Sequence, residues 1–196
     1  PTMSAGITLP AATAKTKEAT PNAVFKATDN ASGTLTNLGS GMKFRINEGS
    51  WIDIDDEERT IDGLEACTIK VVKKGGDTTL DSDEQIIEVT KAATPNLAVM
   101  QPVEGRDKGR IETTEAYEIR KDGESSYTDC TAGTTSLEPG TYYIRVKASG
   151  TELASEEQKI VINDPAEYTI TFDANGGYFN NTSDTEKTSK LTSGQT

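Results

Sequence analysis

The sequence predicts an all-β fold in which two similar β-sandwich modules are followed by part of a third β module. The first observation is a short-range alternation of apolar and charged residues, as in Phe44 and Ile46 with Lys43 and Arg45. A period of two is typical of strands that bury one face. The second observation is an internal repeat, in which this segment returns after residue 115. A repeat of this length indicates one folded module per copy.

The repeat also predicts the module boundaries. The tripeptide Thr-Pro-Asn at 20–22 returns at 94–96, and Ile87 returns as Ile160. We therefore expect one module at 20–92, a second at 93–164 and a truncated third segment at 165–196. Residues 1–19 are expected to be an extended linker or the tail of a preceding repeat, because they parallel the stretch that ends the first module.

Each element of the first module is predicted from alternation and from the turn residues around it. A glycine-containing turn at 47–50 separates two strands as a hairpin would, and Pro139 with Gly140 suits a tight turn in the second module. No window of a dozen residues shows helical periodicity. Strands are predicted at 23–25, 33–38, 42–46, 51–54, 59–61, 67–73 and 85–90, and the second module repeats their order. Seven short strands at this spacing favour an immunoglobulin-like sandwich of the fibronectin type III style.

The repeat pairs residues of the two modules. In the sequence, Phe44 and Ile46 correspond to Tyr117 and Ile119. By the same comparison Ile69 and Val71 correspond to Ile144 and Val146, and Trp51 corresponds to Tyr127. These pairs predict which side chains occupy equivalent positions of the two sandwiches.

Two resemblances suggest where such a chain works. The hairpins resemble a loose "hydrophobic-x-hydrophobic-x-Asp-Gly-x-x-Trp" pattern of tandem modules in surface proteins of Gram-positive gut bacteria. Residues 168–177, Tyr-Thr-Ile-Thr-Phe-Asp-Ala-Asn-Gly-Gly, resemble the opening of the Listeria–Bacteroides repeat, the module type that includes the internalin B-repeats. The Gly-Trp segment and the closing strand of that family are missing here. These resemblances imply a secreted or cell-wall-attached protein whose modules serve as a stalk or as interaction units.

Composition excludes several classes of function. The net charge is −12, and acidic residues exceed basic ones in both modules, which disfavours nucleic acid and anionic membranes as partners. There is no histidine, so Ser-His-Asp and Cys-His catalysis and the common zinc sites are excluded. No phosphate-binding glycine motif occurs. We therefore expect no enzymatic activity and no membrane insertion.

The densest acidic run offers the main candidate metal site, and Asp81, Asp83 and Glu84 form a weaker second candidate. Asp53, Asp55, Asp56 and Glu57 supply the oxygen ligands that calcium prefers, with Glu58 beside them. The run lacks the spacing and the glycine of an EF-hand, and the second module has no equivalent acidic run. The preferred interpretation is a solvated, charged strand end without a cofactor, and a calcium site is the alternative.

Trp51 is the only tryptophan and the one candidate ligand-binding aromatic. An exposed indole stacks on sugar rings, so an exposed Trp51 would indicate a carbohydrate-binding face. The preferred interpretation is that Trp51 packs in the core beside Phe44. Cys67 and Cys130 fall at non-equivalent positions of the two modules, so both are expected to be unpaired.

The function that these patterns favour is a non-catalytic stalk or adhesion segment of a multi-module extracellular bacterial surface protein. The alternative is a pair of ancillary carbohydrate-binding modules of a secreted glycoside hydrolase. A monomer is expected, and a host protein or a glycan is the class of partner left open. The short proline-containing connection at 91–95 is expected to be stiff.

Overall fold

The computed structural model of the chain describes residues 14–55, 57, 59–103, 105–177 and 186–192. Within these ranges every regular element is a β-strand, which confirms the all-β prediction. The chain divides into two compact units, Pro1–Thr90 and Lys91–Thr196, here called unit 1 and unit 2. The described sheets are consistent with β-sandwich modules.

Unit 1 is built from two antiparallel sheets. The first sheet has the strand order β2-β3-β6, and in the second β9, β7, β4 and β5 are neighbours in that order. A short strand, β1, runs parallel to β8. The strands are β1 Thr16–Lys17, β2 Val24–Ala27, β3 Gly33–Leu38, β4 Met42–Ile46, β5 Ile52–Ile54, β6 Arg59–Leu64, β7 Cys67–Lys73, β8 Thr79–Leu80 and β9 Gln85–Lys91.

The core of unit 1 follows directly from the alternation in its strands. Phe25 on β2 and Leu35 on β3 are buried from the first sheet, and Phe44, Ile69 and Ile87 are buried from the second. Their neighbours along each strand are more exposed, so one face of each sheet is apolar and the other is polar. Burial of these apolar side chains is the main stabilising contribution that such a thin module has available.

Unit 2 repeats this arrangement. One sheet pairs β10 with β13, extended by an isolated bridge between Met100 and Arg110, and the other has the order β12-β11-β14-β16. Ile111 and Leu137 of the first sheet and Tyr142, Ile144 and Ile160 of the second belong to one buried cluster. The core therefore lies between the two sheets. The strands are β10 Gly109–Thr113, β11 Tyr117–Lys121, β12 Thr128–Asp129, β13 Gly133–Leu137, β14 Gly140–Val146, β15 Glu152–Leu153 and β16 Gln158–Ile162.

After unit 2's sandwich, strands β17 (Glu167–Asp173) and β18 (Glu186–Thr192) form an antiparallel hairpin. Every residue of β17 is exposed. Tyr168, Ile170 and Phe172 share one face of the strand, because side chains alternate between faces. Tyr178 and Phe179 come next in the segment that the sequence predicts here, and they lie outside the described residues.

The register of the strands corrects the residue pairing between the two modules. Val71 lies opposite Gln85 in unit 1, and Ile144 lies opposite Gln158 in unit 2. The counterpart of Val71 is therefore Ile144, whereas the sequence comparison had paired Ile144 with Ile69. The sequence comparison is wrong by two residues, which is one full period of the side-chain alternation along a strand. Because inward-facing positions recur every second residue, a shift of two preserves the apolar pattern and the pattern cannot exclude it.

The same correction applies to the first hairpin and to Cys67, which the sequence comparison aligns with Tyr142. Phe44 lies opposite Val71, and Ile119 lies opposite Ile144, so Phe44 corresponds to Ile119 and not to Tyr117. Cys67 begins β7 where Gly140 begins β14. Both Cys67 and Cys130 are free, as expected, and burial raises the pKa of each thiol.

A buried serine recurs at the same place in both units. The Oγ of Ser155 accepts a hydrogen bond from the Val146 amide at 2.9 Å and donates one to the Glu156 carbonyl at 2.8 Å. Ser82 makes the same pair of contacts with the Lys73 amide and the Asp83 carbonyl. The side chain thus satisfies the backbone where the strand order leaves an amide without a ladder partner.

We predict that Ser155→Ala lowers the free energy of unfolding of unit 2 by about 1–3 kcal/mol, because it leaves the Val146 amide without its hydrogen bond in a fully buried place. Urea denaturation followed by circular dichroism measures the change. Ser126→Ala, at an exposed position of the same unit, is the control and is expected to be neutral. Equal effects of the two substitutions would contradict the prediction.

Candidate functional site

Trp51 lies on the outer face of unit 1. Phe44 and Ile52 are directly paired across β4 and β5, so they share a face, and the neighbouring Trp51 projects to the other side. There its ring centroid is 5.3 Å from the Lys43 Nζ and 4.9 Å from the Arg45 Cζ. The indole is half-buried. The expectation that Trp51 packs in the core is therefore wrong, because the pairing with β4 assigns the core face to its neighbour.

Tyr127 occupies the equivalent position of unit 2. Thr128 lies opposite Ile119 as Ile52 lies opposite Phe44, so the residues before them, Tyr127 and Trp51, correspond as the sequence predicted. The Tyr127 ring centroid is 3.9 Å from the Cζ of Arg145 and 5.5 Å from that of Arg120. Arg120 also lies 4.4 Å from the ring of Tyr143.

A carboxylate completes each cluster. In unit 2 both the Nε and Nη2 atoms of Arg120 lie 2.8 Å from Oε1 of Glu157, and the Tyr127 hydroxyl donates a hydrogen bond to the same oxygen. In unit 1 Arg45 lies 3.5 Å from Glu84, which also attracts Lys70 at 3.7 Å. An aromatic ring, an arginine and a glutamate thus recur together on the outer face of both units. We call this set the outer-face cluster: Trp51, Arg45 and Glu84 in unit 1, and Tyr127, Arg120 and Glu157 in unit 2.

The electrostatics of the cluster stabilise its charges. Burial favours the neutral form of Glu157, but hydrogen bonds from Tyr127 and Arg120, with the charges of Arg120 and Arg145, outweigh it and lower the pKa of this carboxyl. Burial and the bond to Glu157 raise the pKa of the Tyr127 hydroxyl. The hydrogen bonds that Arg120 donates to the Tyr127 oxygen and to Glu157 raise the pKa of the Arg120 guanidinium. The tyrosine therefore stays protonated and the ion pair stays charged at neutral pH, and neither group is prepared to exchange a proton.

The lowered pKa of Glu157 predicts a pH dependence of stability. A carboxyl with a lower pKa in the folded chain stabilises it above the unfolded value, and this contribution is lost as the pH falls through the folded value. We expect the free energy of unfolding of unit 2 to fall on acidification below the usual glutamate range, around 4.5. In Glu157→Gln the fall should be shallower.

Urea denaturation at a series of pH values between neutral and strongly acidic measures this difference. Glu115→Gln removes an exposed carboxylate of the same unit and is the control. It should keep the acid dependence of the unsubstituted chain. An unchanged dependence in Glu157→Gln would mean that the ion pair with Arg120 does not distinguish the folded from the unfolded state.

The described members of the predicted metal site, Asp53, Asp55 and Glu57, lie at one strand end of unit 1. Asp53 on β5 forms an ion pair with Lys74 at 3.0 Å, and Asp55 and Glu57 are exposed. Asp56 lies outside the described residues. Among the residues that the structure describes, no three His, Cys, Asp or Glu side chains are grouped so that they could hold a metal ion. The calcium site stays a prediction.

The second acidic group of unit 1 is matched with cations. Asp81 accepts a hydrogen bond from the Gly75 amide at 2.8 Å and lies 2.7 Å from the Lys43 Nζ, and in that order these contacts lower the pKa of its carboxyl. Asp83 pairs with Lys17. These carboxylates therefore act locally, in holding the backbone and the lysines around β8.

Sequence reasoning missed the cations of the outer-face cluster. Alternation along the strand places Arg45 on the solvated face without a partner, and the sequence pattern does not single out Arg120. The signal was present, since a basic residue stands on either side of Phe44 and the only tryptophan follows across a short hairpin. Aromatic rings attract such cations at short range.

A shallow groove of about 430 Å³ lies on the other sheet of unit 1. It is lined by Val24, Lys26, Ala27, Thr28, Thr34 and Thr36. Thr36 already donates its hydroxyl hydrogen to the Val24 carbonyl at 3.2 Å. The groove therefore brings together few free polar groups, and it is separate from the outer-face cluster.

The part of the chain that the structure describes includes no helix of the length and apolar character that crossing a bilayer requires. Compared with known proteins, the chain matches no protein-family model and no curated sequence.

Proposed function

We propose that this chain is a non-catalytic stalk or adhesion segment of a multi-module extracellular bacterial surface protein. The observation that carries the proposal is the repetition of one two-sheet arrangement, with equivalent strand pairings in unit 1 and unit 2. Each further copy of a repeated module lengthens a protein by a similar step, and most residues of the module serve to fold it.

The outer-face cluster supports this role. In unit 2 the ring of Tyr127, Arg120 and Glu157 contact one another on the sheet, and the lowered pKa of Glu157 keeps its ion pair with Arg120 charged. A catalytic carboxylate needs the opposite condition, a pKa moved toward the working pH in a closed site. The resemblance of residues 168–177 to the Listeria–Bacteroides repeat supports an extracellular setting.

Single-molecule force spectroscopy on the full chain, held by its two ends, tests the proposal. A load-bearing segment should give two separate unfolding events, one per sandwich. Each should release about 70 residues, on the order of 250 Å of contour length. Extension without discrete events would contradict a load-bearing role.

A carbohydrate-binding function is the second candidate, and one observation favours it. Trp51 is on the outer face and Tyr127 repeats its position, so each unit presents an aromatic ring on its own equivalent sheet. Aromatic rings in such a place stack on sugars.

A glycan array on the full chain tests this candidate, with Trp51→Ala and Tyr127→Ala as variants. Binding that both alanine variants weaken, and that Trp51→Phe retains, would support it. Binding to no glycan, or binding that ignores both substitutions, would count against it.

A further inference from the structure

One heptapeptide occurs twice with a single difference. Residues 16–22 read Thr-Lys-Glu-Ala-Thr-Pro-Asn, and residues 90–96 read Thr-Lys-Ala-Ala-Thr-Pro-Asn. Only Glu18 and Ala92 differ. This identity exceeds that of the strands themselves, so the segment has a role besides filling a core.

The residue that follows each heptapeptide is held by the same side chain. In unit 1 the Gln85 amide group accepts a hydrogen bond from the Ala23 N–H at 2.8 Å and donates one to the Ala23 carbonyl at 2.8 Å. In unit 2 Gln158 does the same to Leu97, at 2.7 and 2.9 Å. A glutamine in this position imitates a neighbouring strand and fixes where the chain enters the sandwich.

The start of each heptapeptide also makes equivalent contacts in the two units. In unit 1 the Glu18 N–H donates to the Leu80 carbonyl at 3.0 Å, and Lys17 forms an ion pair with Asp83. In unit 2 the Ala92 N–H donates to the Leu153 carbonyl at 3.0 Å, and Lys91 pairs with Glu156. The backbone bond and the ion pair therefore have equivalent partners: the carbonyl at the end of β8 or β15, and the acid three residues after that strand.

The two segments differ in what comes before them. Lys91 is the last residue of β9, the final strand of the first sandwich, and also the first residue of unit 2. Thr16 and Lys17 form β1, parallel to β8. Residues 16–18 thus hold in unit 1 the place that Lys91 and Ala92 hold in unit 2, where Lys91 is also the last residue of β9.

We infer that β8 and Asp83 of unit 1 form a docking surface for the end of the last strand of another copy of this module, and that residues 16–18 are such a strand end. This inference rests on the proposed function, since it specifies how copies are joined in a series. The bond pattern is strand addition at a short edge, in which main-chain hydrogen bonds supply the contact.

The strength of the contact indicates that it works only within one chain. The side chains of Lys17 and Asp83 are 56% and 70% exposed, and exposed ion pairs contribute little. A few backbone bonds cannot hold a separate molecule. Covalent connection raises the effective concentration of the strand end, so the same contact suffices when the copies are linked.

A duplicated chain tests the inference. Residues 1–93 are joined directly to residues 20–196, so that a copy of the first module is followed by a second copy at the natural heptapeptide. Amide hydrogen exchange is measured at the inserted Ala92. We expect this amide to be protected like Glu18 and Ala92 of the natural chain. Exchange at the rate of an unstructured amide would overturn the inference.

A second variant works in the natural chain and does not depend on folding of the duplicated one. Glu18→Ala makes the two heptapeptides identical and removes the contact of the Glu18 carboxylate with Lys73 at 3.3 Å. The amide of residue 18 should stay protected within a few-fold. Loss of protection would show that the carboxylate, and not the repeated backbone pattern, holds the segment, and would also overturn the inference.

The force measurement separates this inference from the proposed function. Three unfolding events in a duplicated chain whose inserted Ala92 exchanges freely would leave the stalk function supported and the docking surface refuted.

Discussion

Ile144→Ala is expected to lower the free energy of unfolding of unit 2 by about 2–5 kcal/mol. Ile144 is fully buried on β14, in one cluster with Ile111, Tyr142 and Ile160. Truncation removes apolar contacts and leaves a cavity that two hydrogen-bonded sheets cannot close. Because a module of this size has only a thin core, this loss is a large fraction of its stability.

Urea denaturation followed by circular dichroism measures the loss, and tryptophan fluorescence adds a reference within the same sample. Trp51 is the only tryptophan and belongs to unit 1, so its transition should keep its midpoint while that of unit 2 shifts. Val161→Ala on β16 is the matched control, because this side chain is 44% exposed. A similar loss for both substitutions would show that the buried cluster does not dominate the stability of unit 2.

The longer strands of unit 1 could be predicted closely from the sequence, whereas the two-residue strands β1 and β8 are not predicted. The predicted bounds 33–38, 42–46 and 67–73 are those of β3, β4 and β7. Alternation indicates which residues within a strand share a face, and glycine, asparagine and proline mark the turns between strands. Both signals are local, so one sequence is enough to detect them.

Relations across strands could not be predicted in the same way. The register of β7 and β14 is set by hydrogen bonds such as that between the Val146 amide and Ser155, and alternation does not contain this information. The comparison of the repeats therefore paired Ile144 with Ile69 and missed Val71. In each repeat a serine stands nine residues after the strand residue whose amide it binds. Aligning these two serines would have fixed the register.

The predicted position of Trp51 is wrong for a related reason. An aromatic residue at the start of a short strand is compatible with either face of the sheet. The pairing of Ile52 with Phe44 decides the face, and the cations of β4 then make the outer face favourable for the ring. The candidate site thus depends on contacts between neighbouring strands, whereas the strands themselves depend on local sequence.

Gly75→Ala is expected to lower the free energy of unfolding of unit 1 by about 1–3 kcal/mol. A Cβ atom at this position would lie 2.5 Å from the Leu80 carbonyl carbon, 2.6 Å from the Thr79 oxygen and 2.7 Å from the Asp81 nitrogen. All three are backbone atoms of β8 and the residue after it, so no side chain can rotate away. The turn between β7 and β8 must open, which also weakens the hydrogen bond from the Gly75 amide to Asp81.

The neighbouring glycine supplies the matched control for this substitution. A Cβ atom on Gly76 would meet only the Thr79 hydroxyl at 3.9 Å, so Gly76→Ala should be close to neutral. Because the Leu80 carbonyl accepts the Glu18 N–H, Gly75→Ala should also speed hydrogen exchange at Glu18, and Gly76→Ala should not. Urea denaturation and amide exchange on the two variants measure both effects. Loss of stability in Gly75→Ala with unchanged protection at Glu18 would show that the bond to Leu80 does not hold residues 16–18 in place.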